Sequence, residues 1–388
     1  MIEFREVTKR FPDGTVAVDN LSLEVDSGGI TVFVGPSGCG KTTSLRMINR
    51  MVEPTGGTIL VNGEDVMACD PAELRRGIGY VIQQAGLFPH RTIVDNVATV
   101  PLLLGWDKKK ARARAHELME LVGLSPALAK RYPGQLSGGQ QQRVGVARAL
   151  AADPPVLLMD EPFSAVDPVV RENLQDELLR LQSELSKTIV FVTHDIDEAI
   201  KLGDKVAVFR VGGRLAQYDE PGALLARPAD DFVDNFVGRD RGYRGLGFRS
   251  AAGLPIGELR TVTLGDPLAQ ARAQVGDDWA LVVDADRRPQ GWLHLRESGV
   301  SAHRVGSHST PKDAGTTDDR PITAEHLVAG GSLYDTEADS LRGALDAALS
   351  SPSGVGVAVD GQGAVVGSVT ADDVLDALAA ARASEAAA

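Results

Sequence analysis

The fold of this chain is decided by the stretch Ile30-Thr31-Val32-Phe33-Val34-Gly35-Pro36-Ser37-Gly38-Cys39-Gly40-Lys41-Thr42. Its first part is a short β-rich apolar run, and its second part fits the phosphate-loop pattern G-x-x-x-x-G-K-[ST]. Residues 42–51, which follow, have helical spacing. A strand that enters a helix through such a loop predicts a nucleotide triphosphate site, because loop N–H groups converge on phosphate at the positive end of the helix. The alternative is a glycine-rich turn without a ligand.

The predicted nucleotide-binding residues of this loop are Gly35, Pro36, Ser37, Gly38, Cys39, Gly40, Lys41, Thr42 and Thr43. Lys41 brings a positive charge to the β- and γ-phosphate oxygens, and the Thr42 hydroxyl suits Mg²⁺. Cys39 lies beside Lys41 at a helix N-terminus, a setting that lowers a thiol pKa. We therefore expect alkylation of Cys39 that ATP blocks.

A second glycine loop, Leu136-Ser137-Gly138-Gly139-Gln140, stands between the phosphate loop and an acidic strand end. Ser137 is a good N-cap for the helix that runs to about Leu150, and the two glycines let phosphate oxygens approach bare backbone. A capped helix start is the simpler interpretation. It leaves unexplained why a second anion-binding terminus appears in a chain whose own phosphate loop is complete. The pattern suggests that one subunit's glycine loop closes over the nucleotide held by another.

Carboxylates end the apolar run Val156-Leu157-Leu158-Met159. Because ligands of open α/β sheets collect at the carboxyl ends of strands, Asp160 is placed to hold Mg²⁺, and Glu161 to polarise the attacking water. The pair equally fits a cap of the next helix. His194 ends the predicted strand 188–192, expected beside the Asp160 strand, and reaches a γ-phosphate or is structural.

Two further residues are weaker candidates. Gln83 follows the short run 79–82, where a glutamine is usually only a loop residue. Phe11 either stacks on a purine or fills core.

Composition limits the classes of function. The 388 residues favour two domains or more, and two cysteines exclude a disulfide framework and indicate a reducing compartment. The formal net charge of −13 argues against a nucleic-acid partner and against direct adsorption to anionic lipid. The N-terminal residues show no signal peptide, and the apolar run 97–106 is too short to span a bilayer, so we expect a soluble chain.

The order of predicted elements divides the chain into two domains. Residues 1–238 alternate strands, including 206–209, with helices. They carry a mostly helical insert that includes an amphipathic helix at 107–122 and runs to about Leu150. Residues 239–254 are rich in glycine and arginine and are predicted to be a linker. In residues 255–380 a helix and strand hairpin recur at offsets of 73 and 76. The polar stretch 298–323 is predicted to be an inserted loop, and 381–388 a disordered tail.

In the order of its motifs, the first domain resembles the ATP-binding subunit of ABC transporters. The resemblance implies an α/β P-loop NTPase fold with a helical subdomain, and a head-to-tail homodimer in which Ser137, Gly138, Gly139 and Gln140 of one subunit clamp ATP on the other. It implies that Phe11 stacks on adenine, and that Lys41, Gln83, Glu161 and His194 serve catalysis. Mg²⁺ would be held by Thr42, Gln83 and Asp160. Residues 164–167 resemble the dimer-contact loop of that family, with Asp167 near the nucleotide and Val166 where Leu is commoner.

The repeated second domain is similar to an α+β tandem CBS pair, the adenosine-ligand regulatory module. Its second copy keeps the ribose-binding pattern as Gly367, Thr370 and Asp373, whereas the first copy has His294 and Glu297 at the corresponding positions. A purely structural pair is the alternative.

An ABC ATPase fused to a CBS pair resembles importers of glycine betaine, proline betaine, carnitine and choline. That resemblance implies permease subunits, an extracytoplasmic solute-binding protein reached indirectly, and a peripheral position on the cytoplasmic face of the cell membrane. The alternatives are an importer of another small solute, such as an amino acid, and a non-transport ABC ATPase.

Overall fold

The structure is a computed structural model that describes residues 1–82, 86–164, 166–275, 279–295 and 320–387. The chain divides into two compact units, Met1–Arg239 and Asp240–Ala388. No helix among these described residues is both long and apolar enough to cross a bilayer.

A six-stranded sheet forms the centre of the first unit, with the strand order β10-β9-β3-β8-β7-β6. Its members are β3 (Ile30–Val34), β6 (Ile78–Val81), β7 (Val156–Asp160), β8 (Thr188–Val192), β9 (Lys205–Arg210) and β10 (Arg214–Asp219). All neighbouring pairs are parallel except β9 and β10. The four strands predicted from apolar runs are therefore confirmed, and β8 lies beside β7 as expected.

A second, antiparallel sheet has the order β2-β1-β4-β5, and the sequence analysis did not predict it. Its strands are β1 (Ile2–Arg10), β2 (Val16–Val25), β4 (Gly56–Val61) and β5 (Glu64–Asp65). The β1–β2 hairpin carries Phe11 in its turn, and Ala17, which follows the turn, lies against the phosphate loop.

The helices of the first unit include the predicted helical insert. They are α1 (Lys41–Ile48), α2 (Pro71–Arg76), α3 (Ile93–Val97), α4 (Thr99–Leu103), α5 (Lys108–Leu121), α6 (Gly138–Leu150), α7 (Pro168–Leu185), α8 (Ile196–Leu202), α9 (Pro221–Ala226) and α10 (Asp231–Val237). Asp107 caps α5 by accepting from the Lys109 and Lys110 N–H groups.

Strand β3 is buried on both faces, and this burial gives the phosphate loop that follows it a fixed starting point. Ile30, Val32 and Val34 enter one apolar cluster, and Phe33 enters another on the opposite face. Side chains alternate across a strand, so a strand that is covered on both faces is largely apolar, and Thr31 is the one polar residue of β3. The phosphate loop is therefore anchored at the end of a strand that is covered on both faces.

The second unit repeats one small sheet. In each copy a short strand pairs in parallel with the first strand of a hairpin, giving the orders β11-β12-β13 and β14-β15-β16. Its elements are β11 (Thr261–Thr263), β12 (Trp279–Val283), β13 (Pro289–His294), β14 (Leu333–Asp335), β15 (Gly356–Val359), β16 (Val365–Val369), α11 (Arg241–Gly245), α12 (Leu268–Val275), α13 (Leu341–Ser350) and α14 (Ala371–Ala387). The helix-and-hairpin repeat predicted from the offsets is confirmed, and most of the predicted inserted loop lies outside the described residues.

Two predicted boundaries are wrong. Residues 241–248 are helical rather than a linker, and Leu246, Ala251 and Leu254 are buried in the core of the second unit. The predicted tail instead continues α14 as far as Ala387. Alanine has the highest helix propensity, and the alanine-rich composition that suggested low complexity also favours helix.

Candidate active site

Close packing forces glycine at two positions of the phosphate loop. Gly35 has φ 152° and Gly40 has φ 98°, a region that side chains disfavour. A Cβ added to Gly35 would lie 2.4 Å from the carbonyl oxygen of Phe209. A Cβ added to Gly40 would lie 2.1 Å from the carbonyl oxygen of Ala17. Gly40 also begins α1 without a side-chain cap. The first N–H groups of α1 thus have no capping side chain competing with an anion.

Lys41 lies inside this loop and is buried. Its Nζ donates to the Gly35 carbonyl at 2.7 Å and to the Pro36 carbonyl at 3.0 Å. Its third contact is with Cys39 Sγ at 3.7 Å. A lysine ammonium is a compact charge with three donors, so phosphate oxygens bound at the loop would replace one of these contacts.

Asp160, at the end of β7, faces the start of α1. Its Oδ1 accepts from the Thr42 hydroxyl at 2.8 Å. Arg46 and the Tyr80 hydroxyl each lie 3.3 Å from its Oδ2, and the sequence analysis missed both. Burial raises the pKa of Tyr80, which keeps its hydroxyl a donor. The carboxylate and the hydroxyl are oxygen ligands of the kind that Mg²⁺ takes.

Few protein ligands surround this position. No group of three or more His, Cys, Asp or Glu side chains arranged to hold a metal occurs in the part of the chain that the structure describes. Magnesium usually keeps several waters and is held by one or two protein oxygens plus substrate phosphates. The pair of Thr42 and Asp160 therefore fits Mg²⁺ bound together with a nucleotide.

Glu161 and His194 are brought together at adjacent strand ends. The Glu161 Oε2 lies 3.2 Å from His194 Nδ1, and the Glu161 N–H donates to the Val192 carbonyl at 2.9 Å. Glu161 has φ 44°, which is uncommon for a residue other than glycine. Backbone strain of this kind concentrates at functional sites. The Glu161 carboxylate therefore has an imidazole beside it at the end of the sheet.

The second glycine loop begins α6 as a complete capping box. Gln140 N–H donates to Ser137 Oγ at 3.3 Å, and Ser137 N–H donates to Gln140 Oε1 at 3.0 Å. Ser137 and Gly138 are exposed, and a Cβ added to Gly138 would meet nothing within 4 Å. The predicted cap is therefore present, and the loop leaves open surface above Gly138.

The start of α7 shares this surface. A Cβ at Gly139 would come within 3.1 Å of Val170 Cγ1, and Val169 is 71% exposed. Asp167 caps α7 by accepting from the Val169 N–H at 3.1 Å. The glycine loop and the segment after Asp167 therefore form one exposed patch that includes apolar side chains.

The two weaker candidates fare differently. Phe11 is half-buried, belongs to no apolar core cluster among the described residues, and has Lys9 Nζ 5.2 Å from its ring centre. A core-filling role is thus unsupported. Gln83 lies outside the described residues.

The expectation of a lowered thiol pKa at Cys39 is wrong. The side chain is fully buried, and burial raises the pKa of its thiol despite the neighbouring Lys41 ammonium. The helix N-terminus is present, but desolvation of a thiolate costs more than that charge supplies.

Cys39 should therefore react slowly. At neutral pH we expect iodoacetamide to modify Cys69, which is partly exposed, at least about tenfold faster than Cys39, because burial disfavours the Cys39 thiolate and blocks access of the reagent. Mass spectrometry of tryptic peptides over time measures both rates. The Cys39→Ser variant is the control that identifies the modified Cys39 peptide. Equal modification rates of Cys39 and Cys69 in the folded protein would contradict the burial of Cys39.

In the second unit, Thr370 and Asp373 meet at the start of α14. The Thr370 hydroxyl donates to Asp373 Oδ2 at 2.6 Å, and the Asp373 N–H donates to Thr370 Oγ1 at 3.2 Å. Gly367 instead packs on residues 256–257, since a Cβ there would lie 2.4 Å from the Gly257 carbonyl oxygen. His294 ends β13 against Trp279, and Glu297 lies outside the described residues.

Comparison with known proteins identifies the class first. The family model described as ABC transporter matches residues 18–164, which include the phosphate loop, the second glycine loop and the Asp160 strand. A dimeric, post-hydrolysis structure of the ATP-binding cassette MJ0796 with ADP and Pi has a TM-score of 0.52 and 35% identity, covering 57% of this chain and 99% of that one. The first unit is an ATPase of the ABC transporter class with a P-loop NTPase fold.

Two relatives narrow the family. The osmoprotectant import ATP-binding protein OsmV of Salmonella typhimurium is 50% identical over 317 residues, 78% of this chain and 82% of OsmV. The carnitine transport ATP-binding protein OpuCA of Listeria monocytogenes is 54% identical over 241 residues, 62% of this chain and 60% of OpuCA. The chain belongs to this family of ATP-binding subunits of osmoprotectant import systems. Because the first unit has 239 residues, the match to OsmV extends into the second.

Proposed function

We propose that this chain energises the import of small quaternary-amine osmoprotectants, such as glycine betaine, carnitine and choline, by hydrolysing ATP between two copies of itself. The observation that carries the proposal is the 50% identity to OsmV over 82% of its length. The cargo does not need to touch this chain. Aromatic cages hold quaternary ammonium groups, and only 5% of residues here are aromatic.

In the proposed reaction a water attacks the γ-phosphorus of ATP, and the bond to the β–γ bridging oxygen breaks to give ADP and phosphate. Glu161 accepts the proton of that water, and His194, 3.2 Å away, orients the carboxylate and contacts the γ-phosphate. The phosphate-loop N–H groups and Lys41 stabilise the charge that develops on phosphate oxygens. Phe11 would stack on the adenine. By the family resemblance, Gln83, which lies outside the described residues, would help to hold Mg²⁺ and the attacking water.

Thr42 and Asp160 would hold Mg²⁺, which neutralises β- and γ-phosphate charge when it is bound. Arg46 and Tyr80 fix the Asp160 carboxylate from its other oxygen. Support for this arrangement comes from the 2.8 Å contact between the Thr42 hydroxyl and Asp160.

The proposed dimer places Ser137 to Gln140 of one subunit over the phosphate loop of the other, with Asp167 beside the shared nucleotide. The exposed patch of Gly138 and Val169 supports this, as does the dimeric state of the MJ0796 structure. Closing and opening of the pair would move permease subunits at the cytoplasmic face of the membrane. A solute-binding protein would act on the permease rather than on this chain.

We also propose that the second unit is a tandem CBS pair with one adenine-nucleotide site at Thr370 and Asp373. The duplicated sheets support the pair, and the Thr370–Asp373 contact supports the site. Calorimetry with AMP on the Lys41→Ala protein tests it. Binding that disappears in Asp373→Ala supports a nucleotide site, whereas no binding supports a purely structural pair.

The cargo is tested by uptake. We expect the chain, reconstituted with its permease and binding protein in vesicles, to drive ATP-dependent uptake of radiolabelled glycine betaine, choline or carnitine. Lys41→Ala should abolish uptake, because it removes the phosphate-binding charge. Uptake of amino acids alone would favour the alternative importer. Salt-sensitive nucleic-acid binding without any uptake would favour the non-transport ATPase.

A further inference from the structure

A partly buried polar cluster lies next to the Glu161–His194 pair, and the proposed hydrolysis does not use it. We name it the Arg171 cluster; it consists of Arg171, Gln175, Thr193, Asp195 and Glu198. Its residues come from the beginning of α7, the turn after β8 and the first part of α8. These elements otherwise carry the dimer-contact loop 164–167 and His194.

Glu198 anchors the cluster. Its side chain is 7% exposed, its Oε2 accepts from the Thr193 hydroxyl at 2.6 Å, and its Oε1 accepts from Gln175 Nε2 at 3.3 Å. Burial raises the pKa of this carboxyl, although Thr193 favours the charged form. A carboxylate is costly to bury unless it is paired and hydrogen-bonded. Both oxygens have donors here, so Thr193 and Gln175 are fixed relative to each other.

Arg171 connects this anchor to the dimer-contact loop. Its guanidinium donates to the Val166 carbonyl at 3.2 Å, and it lies 3.9 Å from carboxylate oxygens of both Asp195 and Glu198. The planar guanidinium presents donors in fixed directions and can serve several acceptors at once. One side chain therefore joins residue 166 of the loop to the turn that carries His194.

The space between the two segments is a polar cavity. Its lining includes Glu161, Ser164, His194, Arg171 and Glu198. Thr193 is tied to the next turn, since the Asp195 N–H donates to Thr193 Oγ1 at 3.0 Å. A movement of the dimer-contact loop can therefore shift Arg171, and Arg171 can in turn shift residues 193–195, through polar contacts alone.

We propose that Arg171 is a positioning residue that couples the dimer-contact loop to the switch-histidine turn, with Glu198 as its anchor. The inference rests on the proposed function, in which two subunits share the nucleotide beside Asp167, and on the resemblance of residues 164–167 to the family's dimer-contact loop. Arg171 touches neither ATP nor the attacking water. It transmits the position of the loop to His194 and Glu161, so that hydrolysis proceeds only when the partner is in place.

The test uses the full chain with Arg171→Ala, and with Arg180→Ala as the matched control. Arg180 lies on the same helix in an exposed pair with Glu184. We expect Arg171→Ala to lower the kcat of ATP hydrolysis about 10- to 100-fold with KM for ATP changed less than about twofold, whereas Arg180→Ala keeps both. Arg171→Lys should recover part of kcat, since one ammonium cannot serve the carbonyl and both carboxylates.

A second measurement separates coupling from assembly. Glu161→Gln and the double variant Arg171→Ala/Glu161→Gln should dimerise with ATP to the same extent in analytical ultracentrifugation. Wild-type kcat in Arg171→Ala, or loss of the ATP-dependent dimer in the double variant alone, would overturn the coupling role. Failure of Glu161→Gln itself to dimerise would instead count against the proposed function. If Arg171→Ala does not fold, Arg171→Lys with an unchanged kcat overturns the proposal.

Discussion

Replacing Glu161 with Gln is expected to lower ATP turnover by about 10³-fold while ATP binding persists. General-base catalysis contributes about 10²- to 10⁴-fold in enzymes, and a glutamine keeps the shape but cannot accept the proton. The amide can still face His194, which lies 3.2 Å from the native carboxylate. We therefore expect ATP to remain bound unhydrolysed and to hold two subunits together. Phosphate release at saturating ATP and retention of radiolabelled ATP on the purified protein measure the two effects.

Glu184→Gln is the control for this substitution. Glu184 is exposed and pairs with Arg180 on the surface of α7, away from the candidate active site. Glu184→Gln should turn over ATP at the wild-type rate, because Glu184 lies away from the reacting groups. Loss of its exposed ion pair should also change the stability of the fold little. Wild-type turnover in Glu161→Gln would show that another group takes the proton.

Gly138→Ala is the second change with a large expected effect. Inside one chain the added methyl meets nothing within 4 Å, and Gly138 occupies the first turn of α6, where alanine is favourable. The folded monomer should therefore be unaffected. If Gly138 covers the partner's nucleotide, the methyl occupies the space of phosphate oxygens, and we expect about a 10²-fold loss of turnover. Steady-state ATPase rates and ATP binding by the single chain are the two readouts.

The chain offers a matched control four residues earlier. Gly134 also has open space where the methyl group of an alanine would lie, and it precedes the second glycine loop. Gly134→Ala should retain wild-type turnover. Gly139 is unsuitable for this test, because a Cβ there crowds Val170 within the same chain. Full activity in Gly138→Ala would mean that the loop does not approach a nucleotide.

The sequence was most informative where one local motif determines both structure and chemistry. The run 30–42 predicted a strand, a phosphate loop and a helix, and β3 and α1 confirm it. The loop glycines are required by contacts with Phe209 and Ala17, which are distant in sequence. The motif therefore predicts which positions are glycine, but it does not show the contacts that require glycine there.

Features set by tertiary contacts escaped the sequence analysis. The pKa of Cys39 is raised by the burial of its side chain within the phosphate loop, and this effect outweighs that of the neighbouring Lys41. Arg46 and Tyr80 reach Asp160 across 114 and 80 positions of sequence, and no local pattern marks them. Leu246 was predicted to lie in a linker because its neighbours in sequence are rich in glycine and arginine. Its side chain is nevertheless buried in the core of the second unit.

The central claim is that each ATP site is shared between two subunits, and thiol cross-linking tests it most directly. Two variants would be made in a Cys39→Ser, Cys69→Ser, Glu161→Gln background, one with Ser37→Cys in the phosphate loop and one with Ser137→Cys in the second glycine loop. When they are mixed with ATP and a short bis-thiol reagent, we predict a cross-linked species of twice 41.0 kDa that contains one copy of each variant. Absence of that mixed species, while both proteins bind ATP, would contradict the shared site.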